Sequence, residues 1–558
     1  GEFSRIEKKL AALPGPLMRY EARLAQYLPD DTALYVAIPN LGPTIAQATR
    51  MFEERVQESQ VLREWWNESQ SQQLRLAVDR VKALSDYLGD EIVISARSGA
   101  NGINEPMVIA EVRKPGLQSF LDQQMGLAKL AGQRGMPSVR VQGNLVAVSA
   151  NAQSLVAAGR ISNFAQSAFG KRIAEAYQNG AGWLFCADME QILSSSAKNG
   201  IAQAAAQSSG KAGGNRLMQM TGIGDARYLV VERHEVGGKT ENRATLSFAG
   251  DRRGIVSWLA APAPMGSLEF VSPTAAFATS VVIKNPGAAF NDIIAQLSGQ
   301  DAAEVQKALA EFRAKTGVDL QTDIANSLGG ELTIALDGSL VPPTWKVICE
   351  VYNQSRLQWS IEQMVAAVNR EGAGKVSVQI TPQTTGGQTF YVLTSPQAPT
   401  QGVYTFVDGY FIAGPSKEVL TLAMSNRAAG NTLTHSEQFR AQLPRNGYTN
   451  FSAIAYQNFA PALGAVVDQL KSTGLMTPAQ QEAAAGITSN REPSLIYAYG
   501  ESDRIIAAST GSFFGLNLDA LLTGKAMPML IGNAFKIPGL AGTASKKGAT
   551  TEKGLKRE

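Results

Sequence analysis

At 558 residues the chain holds about three to five domains of ordinary size, or fewer large ones. Its 44% hydrophobic and 18% charged residues exclude a wholly disordered chain, because that much apolar surface can offset the entropy of ordering. The formal charge is +3, and Ala544 to Glu558 alone carry five Lys or Arg against two acids. The body is therefore neutral and lacks the clustered positive field that a nucleic-acid backbone requires, while the basic tail reads as a solubilising end.

The first 27 residues form a lead-in with helical spacing at Ile6, Leu10 and Leu13, broken by Pro14 and Pro16. The start, GEFSRIEKKL, has neither an initiator Met nor a signal-peptide core, so we read the chain as mature or truncated, with room for a membrane anchor upstream. A strand, ALYVAI, then meets the corner IPNLGPTI and the helical run IAQATRMFEERV. Trp65 and Trp66 follow in REWWNES; adjacent positions on a helix face different ways, which makes one of them a candidate interface residue. Next come the strand LGDEIVIS with Glu91, and a hairpin within ISARSGANGINEPMVIAEV.

Further on, GNLVAVS and GWLFCAD read as strands, and Ala202 to Gly214, made of Ala, Ser, Gln and Gly, reads as a mobile connection. A second hairpin lies in VVERHEVGGKTENRATLSF. No window reaches 18 consecutive apolar residues, so the sequence provides no membrane-spanning helix.

The chain also matches itself. LGDEIVIS at Leu88 returns as LGGELTIA at Leu328, and MVIAEVRKPGLQSFL at Met107 returns as KVICEVYNQSRLQWSI at Lys346. GNLVAVSANAQSLV at Gly143 parallels GYFIAGPSKEVLTL at Gly409, and RATLSFAGDRRGIVSWL at Arg243 parallels RIIAASTGSFFGLNLDALL at Arg504. These matches predict a tandem duplication: a lead-in over 1–27, a first α+β repeat over 28–262, a second over 263–523, and an apolar segment with a basic disordered tail over 524–558. Hairpin-linked strands with interspersed helices predict antiparallel or mixed sheets with helices on one face, and ferredoxin-like βαββαβ modules are one way to build each half.

Within each copy a strand-to-helix corner recurs. Asn40 and Asn285 stand in Ile-x-Asn-x-Gly, Asn458 keeps the Asn, and Asp188 stands at the same point of CADMEQIL. A short side-chain acceptor there satisfies the free amides of a first helical turn, so these four are expected helix caps; a set of ligand-binding amides is the alternative.

The search for chemistry finds architecture in its place. Cys186 and Cys349, in WLFCADM and WKVICEV, read as buried small hydrophobes rather than a disulfide framework. His234 and His435 have no second ligand at metal spacing, so no metal or cofactor is expected. LLTGKAMP lacks the Ser/Thr and the upstream glycine of a phosphate loop, and TGIGDAR, at Thr221 to Arg227, precedes a strand and reads as a turn. Glu91 and Glu331 occupy matching positions and form a weak candidate carboxylate pair; the alternative is that each is a solvated strand opener.

The opening LPDDTALYVAIPNL, the strands LGDEIVIS and LGGELTIALDG, and WKVICEVYN resemble a family of exported bacterial proteins defined only as a domain of unknown function, over most of Leu28 to Leu522. The resemblance implies an α+β repeat in a periplasmic or extracellular envelope setting and brings no catalytic residues.

The expectation is a non-enzymatic extracytoplasmic binding or scaffold module with a protein partner in the envelope and no nucleic-acid partner. Two alternatives stay open. A deep pocket holding a strongly perturbed carboxylate favours a hydrolase; a continuous Leu/Ile/Phe-lined cavity favours a lipid or hydrophobic-ligand carrier.

Overall fold

The computed structural model describes residues 18–58, 63, 78–99, 102–130, 137–156, 159–178, 180–194, 220–236, 239–297, 299–340, 343–372, 377–397, 401–444, 448–460, 463–464 and 493–509. They form two compact units: the first draws its described residues from Gly1–Lys198 and Tyr228–His234, the second from Asn199–Arg227 and Glu235–Gly515.

In the first unit β1 (Thr32–Pro39) is flanked by β2 (Leu88–Gly99) and β6 (Trp183–Asp188). Beyond β2 lie β3 (Gly102–Val112), then β5 (Leu145–Ser149) and β4 (Ser138–Gln142). Beyond β6 lies β7 (Ala226–Val236). The order is β4-β5-β3-β2-β1-β6-β7, antiparallel at every step. The described helices of this unit are α1 (Gly42–Glu58), α2 (Leu117–Leu130), α3 (Ala168–Gln178) and α4 (Met189–Ser194).

Successive strand residues point to opposite faces, and both faces of this sheet are apolar. Met107 and Ile109 of β3 and Leu145 and Ala147 of β5 pack with Phe169, Ile173 and Tyr177 of α3. Their neighbours Ala110 and Val112, with Val146 and Val148, pack with Leu117, Phe120 and Leu121 of α2. Each fully buried Leu, Ile or Val contributes roughly 1.5–3 kcal/mol. The one-face arrangement expected from the sequence is thus corrected, since helices cover both faces. The ferredoxin-like module is corrected as well: β1 pairs directly with β2, whereas a split βαβ unit keeps another strand between them.

The second unit centres on β9 (Ala275–Val282), between β10 (Leu328–Leu340) and β16 (Ala453–Gln457). On one side follow β11 (Pro343–Val351), β15 (Tyr410–Gly414), β14 (Gly402–Val407), β13 (Gln388–Thr394) and β12 (Gln379–Thr385). On the other follow β17 (Ser494–Gly500), β18 (Arg504–Ser509) and β8 (Lys239–Phe248). Its helices are α5 (Pro286–Gln296), α6 (Gly299–Thr316), α7 (Gln354–Glu371), α8 (Lys417–Ala428) and α9 (Glu437–Arg440). Again both faces are covered: Val403 and Ile412 meet Leu420 and Ala423 of α8, while Tyr404, Phe406 and Phe411 meet Leu357 and Ile361 of α7. Both units are α+β with antiparallel sheets. Among the described residues no helix is long and apolar enough to cross a membrane.

Covering both faces forces strand polar groups to find protein partners. Lys346 of β11 is 1% exposed. Its ammonium pairs with Asp337 and donates to the Phe270 carbonyl at 2.5 Å. Burial lowers its pKa, with Asp337 working against that shift. The matching residue of the first unit, Met107, is an ordinary core side chain. Removing one partner of a buried pair leaves an uncompensated charge, so Lys346→Met is expected to destabilise the second unit by about 3–5 kcal/mol. Adding Asp337→Asn, which removes that charge, should restore much of the loss. Hydrogen exchange of the β10 and β11 amides in urea reads both variants; equal protection in Lys346→Met and the native chain would show that the pair holds nothing.

Candidate functional site

Glu91 stands near the start of β2, opposite Pro39, and is 8% exposed. Tyr177 of α3 donates to its Oε1 at 2.5 Å, and the Tyr177 and Tyr35 hydroxyls lie 2.7 Å apart. Arg19 Nε lies 3.3 Å from the same oxygen. Burial raises the pKa of Glu91, against the opposing pull of Arg19 and the Tyr177 hydroxyl. Burial also holds Tyr35 and Tyr177 well above their ordinary values, so both remain phenols that can donate.

The backbone of Arg19 is pinned by reciprocal hydrogen bonds with Ala181, 3.1 and 2.8 Å long. Its Nη2 donates to the Gly182 carbonyl at 2.8 Å. Arg19 and Glu91 line a surface recess of about 250 Å3 together with Met18, Tyr20, Arg23 and Glu111.

Glu331, the matching residue of β10, has different partners. Its carboxylate accepts from the Ser267 amide at 2.6 Å and from the Tyr410 hydroxyl at 2.9 Å. Each glutamate is thus held by a tyrosine hydroxyl of its own unit, on α3 in one case and at the start of β15 in the other. Neither is a solvated strand opener, since Glu331 is 6% exposed.

The corner residues are placed as follows. Asn285 Oδ1 accepts from the Gly287 and Ala288 amides at the start of α5. Asn40 Oδ1 accepts from Gly42, while its Nδ2 donates to the Ser85 and Gly89 carbonyls, both at 2.9 Å, tying the corner to the start of β2. The glycine of the motif makes room: a Cβ on Gly42 would strike Ser85, and one on Gly287 would strike Asn326. Asp188 accepts from the Gln191 amide and side chain. Asn458, 6% exposed, donates to Gln438 at 3.2 Å.

Cys186 is buried, Cys349 is half-buried, and both are free thiols. Gly222, in the TGIGDAR stretch, has a φ of 78° and leads through a short 3-10 segment into β7. His234 lies on β7. Trp65 and Trp66 lie outside the described residues, as do the 202–214 connection, the LLTGKAMP stretch and the tail.

Sequence reading missed a second polar cluster. Glu269 accepts from the Thr432 hydroxyl at 2.8 Å and from the Thr434 hydroxyl at 2.5 Å. His435 Nδ1 lies 2.8 Å from Thr432 Oγ1, whose proton goes to Glu269, so Nδ1 is the donor. Glu269 and Thr434 border a recess of about 320 Å3 whose remaining wall includes Met265, Leu268, Phe439 and Phe451. The TLTH run carried no signal, because its carboxylate partner lies 163 residues away from Thr432.

Residues 269–486 match the model of a family described as a protein of unknown function, DUF3352. No curated protein and no solved structure matches the chain significantly.

The raised pKa of Glu91 has a signed consequence. A carboxyl whose folded pKa exceeds its ordinary 4.5 stabilises the fold fully below that value and loses the contribution as pH rises through the folded pKa. The melting temperature of the native chain should therefore fall relative to Glu91→Gln as pH is raised from about 4.5 to 8. Paired thermal melts across that range check it, and a constant difference refutes the assignment.

Proposed function

We propose that the protein is a non-enzymatic binding or scaffold module of the bacterial envelope, built by tandem duplication of one sheet unit. The duplication is supported by strand order: β4-β5-β3-β2-β1-β6-β7 in the first unit parallels β14-β15-β11-β10-β9-β16-β17 in the second, with β12 and β13 as an addition at the edge. The envelope setting rests on the family resemblance and on the low charge of the sequence.

The observation that carries the binding reading is the use made of the matching glutamates. Glu91 and Glu331 sit at the same strand position, and both accept a tyrosine hydroxyl that fixes a neighbouring element to the sheet. A carboxylate so committed positions structure, whereas a general acid or base keeps an oxygen within reach of a substrate proton. The recesses are of a size for small polar contacts, and the larger one carries Glu269 in its wall, which interrupts the apolar lining a lipid carrier needs.

One observation favours a hydrolase as the second reading: Glu91 has a raised pKa and borders a recess. A pull-down of the full chain with its native N-terminus from its own envelope fraction, read by mass spectrometry for proteins and lipids, separates these. A stoichiometric protein partner is the expected result. Turnover of an ester, glycoside or peptide library that Glu91→Gln abolishes would overturn the binding reading in favour of the enzyme, and copurified lipid would favour the carrier.

A further inference from the structure

The recess beside Glu269 lies wholly within the second unit. Its apolar wall comes from Met265, just ahead of the 3-10 segment that carries Glu269, from Phe439 of α9 with Leu443 beyond it, and from Phe451 before β16. Thr449 and Asn450 stand exposed at the rim. Of the residues that line the recess, Glu269 alone carries a charge.

Two hydroxyls hold that carboxylate in place, Thr434 on Oε1 and Thr432 on Oε2. A carboxylate offers about four lone-pair sites, so roughly two remain. Its side chain is 31% exposed, and among the described residues no Lys or Arg forms an ion pair with it. The basic group that approaches it is His435, with Nδ1 3.6 Å from Oε2; a neutral imidazole there brings a shared proton and no charge. Arg440 turns its Nε to the Thr434 carbonyl at 3.0 Å and is not part of the wall. An apolar hollow with one fixed anion in its side is complementary to a cation on an apolar stem. An anionic group is repelled by Glu269, and a purely apolar one strips water from the carboxylate without replacing it. Of the two basic side chains Lys fits better. Its compact ammonium needs a single lone pair, whereas the planar fork of Arg pairs best with both oxygens at once, and each of these already holds a threonine hydroxyl.

We infer that the Glu269 recess receives a lysine side chain of a protein partner, with its methylene stem against Met265 and Leu443 and its ammonium on the carboxylate. At about 320 Å3 the recess is at the small end of ligand sites and suits one side chain. A lysine stem covers apolar surface while its head keeps a polar contact, which is the division this wall presents. The inference rests on the binding-module reading and names the chemistry of the partner's contact. A partner recovered by pull-down whose binding ignores Glu269 would leave that reading standing and sink only this one.

The test is calorimetric titration of the full chain at about pH 8, where imidazole is neutral, with a capped alanine pentapeptide carrying lysine at its centre. Matched peptides carry norleucine, which keeps the stem without the charge, or arginine. The lysine peptide is expected to bind saturably, with norleucine at least tenfold weaker and arginine weaker by a smaller factor. Glu269→Gln, which keeps the shape and an acceptor oxygen, should weaken the lysine peptide at least tenfold and bring it level with norleucine. Should that variant fail to fold, the comparison of the three peptides on the native chain carries the test. No saturable binding of the lysine peptide, norleucine or arginine binding as tightly, or an unchanged lysine affinity in a folded Glu269→Gln would each overturn the inference.

Discussion

Each sheet is covered by helices and 3-10 segments on both faces, and this double covering dictates where polar chemistry can exist. A strand buried on one side can turn its polar residues to water; a strand buried on both cannot. Every ionisable group that β2, β10 and β11 carry inward must therefore meet a partner from a covering element. Tyr177 of α3 reaches Glu91, the Ser267 amide and Tyr410 reach Glu331, and the Phe270 carbonyl with Asp337 reaches Lys346. These contacts fix the register between layers, which nondirectional packing of Leu, Val and Phe leaves less defined.

The matching positions of the two units show how tolerant that constraint is. Glu91 and Glu331 keep their identity but draw their hydroxyl donors from unrelated elements. At the position of Met107 and Lys346 even the chemistry changes, from a thioether in an apolar cluster to an ion pair. The requirement is satisfaction of the buried group rather than any particular partner. A carboxylate retained under these terms is a structural part.

Much of the α+β architecture was legible because it is local. Runs such as WLFCAD and WKVICEV are strands by composition, and an Asn before a helical run marks a corner through the amides it can satisfy. The number of covered faces was legible too, and the one-face expectation passed over it: a strand buried on both sides shows a continuous apolar run, as GNLVAVS does over Leu145 to Ser149, where one open face would give alternation. The site was least legible of all. Glu91 could be singled out by its match to Glu331, but the residues that complete its surroundings are distant in the chain: Tyr177 lies 86 residues away, and the Gly182 carbonyl that anchors Arg19 lies 163 from it.

The Asn-x-Gly corners show why local and distant information must be combined. The Asn alone predicts a cap, and Asn285 makes one with two amides. The glycine has no local reason, since neither Gly42 nor Gly287 has a positive φ. Its reason is spatial: Ser85 in one unit and Asn326 in the other, each just ahead of the next strand, occupy the space where a Cβ would stand. The corner is thus a three-part contact in which strand end, helix start and the approach to the following strand close on one another. A side chain at the glycine would force that approach outward, and with it the strand that carries Glu91 or Glu331.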